Sequence, residues 1–285
     1  MAGGRFRRRH PRDATDNGRR TVERILDMRN VLAVAGKELR AYFHSPIAYL
    51  VMTVYAVICG YVFYSSTAFF VIQTFRTEAM GGMGAPPMSL NENIIRPILS
   101  GVMTVVLLFL IPLITMRLYA EEKRSGTIEL LLTSPLTDME IILGKFLGAL
   151  ALFAVLEAIT FLYFSVLFIY GNPSAKPLLA AALGFLLYGA ALLALDTWFS
   201  TFTKNQIIAG AVALAVNLLL FLLDWVTAYS TGTAGRVMSF LALTTHFDNF
   251  SKGVINLGDL VYYLSVVTFG IFVTARSVEA LKGRP

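Results

Sequence analysis

Charge is what this sequence has least of. Only 15% of its 285 residues are Asp, Glu, Lys or Arg, where a water-soluble domain carries about a quarter. The charges are also clustered, with long uncharged stretches between them; 56% of the residues are hydrophobic and mean hydropathy is +0.66. An ordinary water-facing domain is excluded. Cysteine is nearly absent: Cys59 stands alone inside the first apolar stretch, which rules out an intrachain disulfide and argues against a cysteine-ligated metal site. The three histidines, His10, His44 and His246, lie far apart in sequence. They form no metal or nucleophile constellation and read as interface residues. A G-x-x-x-x-G-K-[ST] loop is missing as well. Gly144-Lys145 has Met139 where the leading glycine would stand, so no nucleotide site is expected on this chain.

What is present is a series of apolar runs long enough to cross a bilayer, for which about 20 residues at about 1.5 Å each suffice. Six are expected: Pro46 to Arg76, Arg96 to Arg117, Ile141 to Tyr170, Leu178 to Phe202, Lys204 to Asp224, and Leu260 to Leu281. With no water in the hydrocarbon to satisfy the backbone, the expected fold is all-α and polytopic. Pro112 is expected to kink the second span. Residues 1–29 read as a basic, disordered tail without apolar periodicity or interleaved aromatics, so a role on anionic lipid is favoured over nucleic acid. From Asn30 to His44, Val31, Leu32, Ala35, Leu39, Tyr42 and Phe43 recur at helical spacing opposite Lys37 and Arg40, the pattern of an amphipathic interfacial helix. Of the 24 lysines and arginines, 19 fall on one side of this topology. The positive-inside rule then places both termini in the cytoplasm.

The richest segment joins the second and third spans: "MRLYAEEKRSGTIELLLTSPLTDMEIILGKFLGA", residues 116–149. The second helix is expected to run on through Glu121, Glu122, Lys123 and Arg124 to Gly126, which disfavours a straight helix. A short apolar run to Leu132 ends before Pro135. Thr137 with Glu140 three residues later is a capping box for the third span. A short helix displayed in this way either lies in the headgroup layer or docks in a groove on a partner.

This segment resembles the signature of ABC-2 type permeases, the membrane subunits of one class of ATP-binding-cassette transporters. The family pattern "G-T-x-E-L-L-L-x-x-P", preceded by basic and acidic residues, is matched by Arg117, Glu121, Glu122, Arg124, Gly126, Thr127, Glu129, Leu131 and Pro135. "FHSPIAYLV" (43–51), "FLIPLITMR" (109–117), "KNQIIAG" (204–210) and "SKGVINLGDLVYYLS" (251–265) resemble the gliding-motility-type branch, to which a nitrous-oxide reductase maturation permease is related. The resemblance implies a transmembrane domain over 30–285, a connecting helix over 30–44, and a coupling segment over 117–140 that seats on an ATPase subunit. It further implies two ATPase copies that bind ATP and magnesium, a second permease copy, and a partner membrane protein with a large outer domain, in a bacterial inner membrane. No cofactor is expected on this chain.

Glu157 and Asp196 are the ionisable groups expected within spans, where such groups face the bundle interior. Each is either a pathway residue or a cross-helix hydrogen bond, with Thr160, Thr197 or Asn217 as partner. Loop 230–259 is too long for a plain turn and carries His246 and Asp248 between aromatics, so a re-entrant or interfacial helix is expected. The resemblance points to a transport subunit that works in export. A force-transmitting complex and a secondary transporter or channel are the alternatives; the last leaves the coupling signature unexplained.

Overall fold

The computed structural model describes residues 27–79, 89–132, 134–229 and 232–282. The basic tail with His10 therefore falls almost wholly outside the described residues. Among those described there is no strand, and six helices are long and apolar enough to cross a membrane.

Helix α1 (Met28–His44) is capped by the Asp27 side chain and buries Val31, Val34 and Tyr42. Leu32, placed on the apolar face by its spacing, is 61% exposed instead. The buried stripe lies along α6 (Asp138–Tyr170), where Gly144 and Gly148 let the backbones meet. A Cβ at Gly144 would fall 2.5 Å from Val34 Cβ, and one at Gly148 2.7 Å from Glu38 Cβ. Two small residues four apart are a common solution for close helix contact in membrane proteins. The α6 start is the capping box read from sequence: Thr137 Oγ1 accepts from the Glu140 N–H, and the Glu140 carboxylate accepts from the Thr137 N–H. Glu140 also accepts from the Asp27 N–H and the Asn30 side chain, so one carboxylate closes the first turns of both α1 and α6.

The first span is α2 (Pro46–Ala79). The second, Asn91–Ser125, is irregular. It opens with two π-helical segments, Asn91–Ile95 and Ile98–Met103, on either side of Pro97. The proline removes one N–H and crowds the preceding turn, and the wider π register accommodates it. Thr104 Oγ1 donates to the Leu99 carbonyl five residues back, in keeping with that register. Regular helix α3 (Thr104–Thr115) contains Pro112 and stops soon after it. Residues 116–119 form turns before α4 (Ala120–Ser125) and α5 (Thr127–Leu132). The departures from regular helix thus lie around Pro97 and after Pro112.

Helix α7 (Ala175–Ser200) is central, packed against α6, α10 and α11, and is the most enclosed of the spans. Helix α8 (Gln206–Tyr229) and α2 are peripheral, with exposed apolar faces such as Tyr61, Tyr64, Ile207 and Leu219. The expected element within 230–259 is a pair of short helices, α9 (Thr233–Leu241) and α10 (Leu243–Ser251), hinged at Ala242. Phe247 and Phe250 of α10 insert against Phe185, Tyr188 and Tyr263. The last span is α11 (Leu257–Lys282).

Candidate functional site

The end of the bundle that carries α1 holds its densest polar structure. Lys145 lies two turns into α6 and is 1% exposed. Its Nζ donates to Glu38 Oε1 of α1 at 2.9 Å, to Glu122 Oε1 of α4 at 2.8 Å, and to the Leu118 carbonyl at 2.8 Å. An ammonium has three protons, and all three are used. The Tyr119 ring lies 5.2 Å from the same nitrogen, and exposed Lys37 adds a second cation 3.8 Å from Glu122. Burial of a charge this deep is tolerated only when it is paired and hydrogen-bonded. Lys145 therefore fastens α1, the break after α3, and α4 to one point on α6.

That break frees backbone groups which would be costly to bury unpaired. Ser200, the last residue of α7, accepts from the N–H groups of Tyr119 and Ala120 and donates to the Met116 carbonyl. Lys145 takes the Leu118 carbonyl, and Lys123 Nζ donates to the Thr201 carbonyl. Tyr42 completes the joint. Its hydroxyl donates to the Ile114 carbonyl at 2.8 Å, and the Arg117 guanidinium lies 4.2 Å from its ring centroid. Burial pushes the Tyr42 hydroxyl far above its usual pKa, against the opposing pull of Arg117, so it serves as a neutral donor.

From this joint projects a hairpin. α4 ends at Gly126, whose φ of 74° is the left-handed conformation that caps a helix at low cost only for glycine. α5 then turns back. Glu121, Arg124, Thr127, Glu129 and Pro135 are exposed, and Leu130 is 73% exposed. Glu122 instead turns inward to Lys145. Leu131 lies within α5, its side chain outside the described residues. Between the hairpin and α1 opens a cleft of about 770 Å3 lined by Lys37, Glu38, Arg117, Glu121 and Glu122 among others.

The remaining candidates fall elsewhere. Asp196 and Asn217 are both fully buried, and Asn217 Nδ2 donates to Asp196 Oδ2 at 2.9 Å, joining α7 to α8. Thr197 bonds its own helix at the Leu193 carbonyl. Glu157 is 7% exposed and has no hydrogen-bond or ionic partner among the described residues. Thr160 is engaged by the Tyr55 hydroxyl at 2.6 Å. At the opposite end of the bundle, His246 stacks on Tyr262 with ring centroids 3.7 Å apart. Its ring nitrogens meet Asp259 Oδ1 at 2.7 Å and the Phe240 carbonyl at 3.1 Å. Asp248 bridges Arg96 of the second span at 2.9 Å and also pairs with Lys252. Burial raises the Asp248 carboxyl, but the hydrogen bonds from Lys252 and Arg96 outweigh it and hold it below the usual range.

Sequence reasoning missed Lys145, Glu38, Ser200 and Asp259 as site residues. A lysine followed by an otherwise apolar helix, and a glutamate on an amphipathic one, were the available signals.

The sequence profile of the family described as ABC-2 family transporter protein matches residues 32–275, and the chain belongs to that family. It is thus a multi-pass membrane component of an ABC transport system. No curated protein matches it significantly.

Proposed function

We propose that this chain is the permease subunit of an ABC-2 type exporter. A separate ATPase subunit energises it through the α4–α5 hairpin, and the working unit contains two permease and two ATPase chains. The carrying observation is the Lys145 joint. A protruding hairpin with exposed Glu121, Glu129 and Leu130 is tied by buried charge to α6, which at 33 residues is about 50 Å long. A force on the hairpin is delivered to the bundle and not absorbed in a loose loop. ATP and magnesium belong to the partner, as does hydrolysis; this chain contributes contact and motion. On this reading the α1 end faces the cytoplasm of a bacterium, in keeping with the lysine and arginine bias. The alternative, a force-transmitting complex that moves no solute, would use the same hairpin and differ in having no cargo within the bundle.

The test is co-purification and ATPase turnover with hairpin variants. Gly126→Pro destroys the left-handed cap, and Glu129→Arg reverses an exposed charge at the docking face. Both lie outside the hydrocarbon, so insertion and bundle packing are spared. A reversed charge against a buried partner group costs about 2–5 kcal/mol, enough to separate the ATPase. Unchanged association and turnover in both variants would reduce the hairpin to a membrane-surface element.

A further inference from the structure

The one acid of α7 is enclosed where no cation reaches it. Asp196 lies four residues before Ser200, which ends the helix, and is 1% exposed; Asn217 of α8 is 0% exposed. Asn217 Nδ2 donates to Asp196 Oδ2, but Asp196 Oδ1 and Asn217 Oδ1 are buried with no hydrogen-bond partner among the described residues. In an ionised pair both of these oxygens are acceptors, and buried acceptors without a donor are rare in native structures. The charge is uncompensated as well. Neither α3 nor residues 206–223 of α8 carry a titratable group. On α6, Lys145 is taken up by Glu38, Glu122 and the Leu118 carbonyl, and Glu157 would only add negative charge. On α11, Arg276 and Glu279 pair with each other and are 65% and 53% exposed. Lys123 of α4 reaches the Thr201 carbonyl, beyond the end of α7. The charges of α10, of the first turn of α11 and of the start of the second span lie at the opposite end of the bundle.

A single proton answers both deficits. It removes the charge, which an enclosed carboxyl without a cation cannot keep cheaply. It also turns Asp196 Oδ1 into a donor, and Asn217 Oδ1 is the acceptor that lacks one. With the bond from Asn217 Nδ2 to Oδ2 retained, the acid and the amide close a ring of two hydrogen bonds. A water molecule would satisfy the two oxygens but leave the charge. An acid kept neutral by an apolar site, so that it can donate, is a known device. We propose that Asp196 and Asn217 form a proton-binding site inside the bundle, in which one proton held between their Oδ1 atoms clamps α8 to α7. Loss of the proton sets two acceptors against each other and loosens α8, whose other faces are largely exposed. Asp196 and Ser200 stand four apart on one face of α7. The last turn of that helix thus grips α8 through the proton and the break after α3 through Ser200. Because the pair is sealed from water, its proton exchanges only when α7 and α8 part.

Infrared spectroscopy and denaturant unfolding of the purified full chain test this. Asp196→Asn is the matched variant: its amide N–H can donate to Asn217 Oδ1 in place of the acid, so it should fold as the wild type does. At neutral pH, the wild-type spectrum minus that of Asp196→Asn should show the C=O stretch of a carboxylic acid and no carboxylate bands. Asn217→Leu should keep that acid band and move it to higher frequency, because the C=O loses its donor. Unfolding releases the proton, since an unfolded aspartate ionises above about pH 3.9. The folded state then binds one proton more than the unfolded state. The unfolding constant of the wild type relative to Asp196→Asn should therefore rise about tenfold per pH unit between about pH 5 and 7. Carboxylate bands in the difference spectrum overturn the proposal, as does a ratio that does not change with pH. Should Asp196→Asn fail to fold, wild type against Asn217→Leu decides, and an acid band that does not move overturns the proposal. Unfolding of the wild type on removal of sodium and potassium also overturns it and makes the pair a metal-ion site.

Discussion

Replacing Lys145 with methionine tests whether the buried joint holds the α1 end together. The side chain keeps its length and apolar stem but loses three donors. Glu38 and Glu122, 13% and 14% exposed, would then face each other with no buried cation between them, balanced only by exposed Lys37 at 4.0 and 3.8 Å. Glu122 Oε2 is already buried without a hydrogen bond, so the pair has little further solvation to draw on. Leaving a buried charge uncompensated costs about 3–5 kcal/mol, and the Leu118 carbonyl loses its donor for about 1–3 kcal/mol more where water cannot reach it. Because water enters and the carboxylates can take up protons, we expect the total to stay within the first of these ranges, about 3–5 kcal/mol. The assay is denaturant unfolding of the purified protein, with hydrogen exchange over Met28–His44 as a local readout. Adding Glu38→Gln and Glu122→Gln to the methionine variant removes the stranded charges and should recover more than half of the loss. Exchange in α1 should rise in the single variant and fall again in the triple. A single variant within about 0.5 kcal/mol of wild type, the range of an ordinary surface substitution, would refute the reasoning.

Three further outcomes are expected. Single cysteines at Ser89 and Ser174 should react with an impermeant thiol reagent applied to intact cells, and one at Ser125 should not; native Cys59 is fully buried and gives no background. Labelling at Ser125 would reverse the proposed orientation. Glu157→Leu should leave the fold at least as stable as the wild type, because the carboxyl it removes has no partner among the described residues, while transport falls. Lost stability in both this variant and Glu157→Gln would show that Glu157 has a partner in the assembly. The depressed pKa of Asp248 means that its ties to Arg96 and Lys252 stabilise fully above the unfolded value of about 3.9, and that this contribution is lost as pH falls through the lower folded value. The protection of amides over Leu243–Ser251 against hydrogen exchange, taken relative to the intrinsic rate at each pH, should therefore stay unchanged from neutral pH to about 4 and fall below it; a loss of protection near neutral pH would contradict the assignment.

Features governed by neighbours in the chain were legible, and those governed by distant partners were not. The six spans follow from uncharged length, the Thr137–Glu140 cap from its spacing, and the Gly126 bend from the poor helix propensity of glycine. Lys145 reads as one more charge at the end of a loop, because its carboxylates stand 107 and 23 residues away. Ser200 is silent for the same reason: a serine ending a helix reveals nothing of the turn it caps 80 residues earlier. Pro112 pointed to a kink, whereas the π-helical segments arise around Pro97, a residue that reads as the mere start of a span. Asn217 was named as one of several partners for Asp196 because buried polar groups need partners, and the structure brings that pair together.

The position of the break in the second span has a mechanical consequence. Had the helix run unbroken from Thr104 to Ser125, pressure on the hairpin would pass along one helix axis. Instead α4 is detached from α3 by turns whose backbone groups are held by Ser200 of α7 and Lys145 of α6. α4, α1, the end of α3 and the start of α6 are joined around those two side chains and Tyr42. On the proposed reading, a push on the hairpin therefore moves α6 and α7 together, as a plate and not as a rod. The second span is least regular at the far end, where two π-helical segments meet α10 through Arg96 and Asp248. That ion pair is partly exposed and weaker than the Lys145 joint, since exposed pairs contribute about 0–1 kcal/mol. Motion imposed at the plate should accordingly part the contact between the second span and α10 before it disturbs the α1 end.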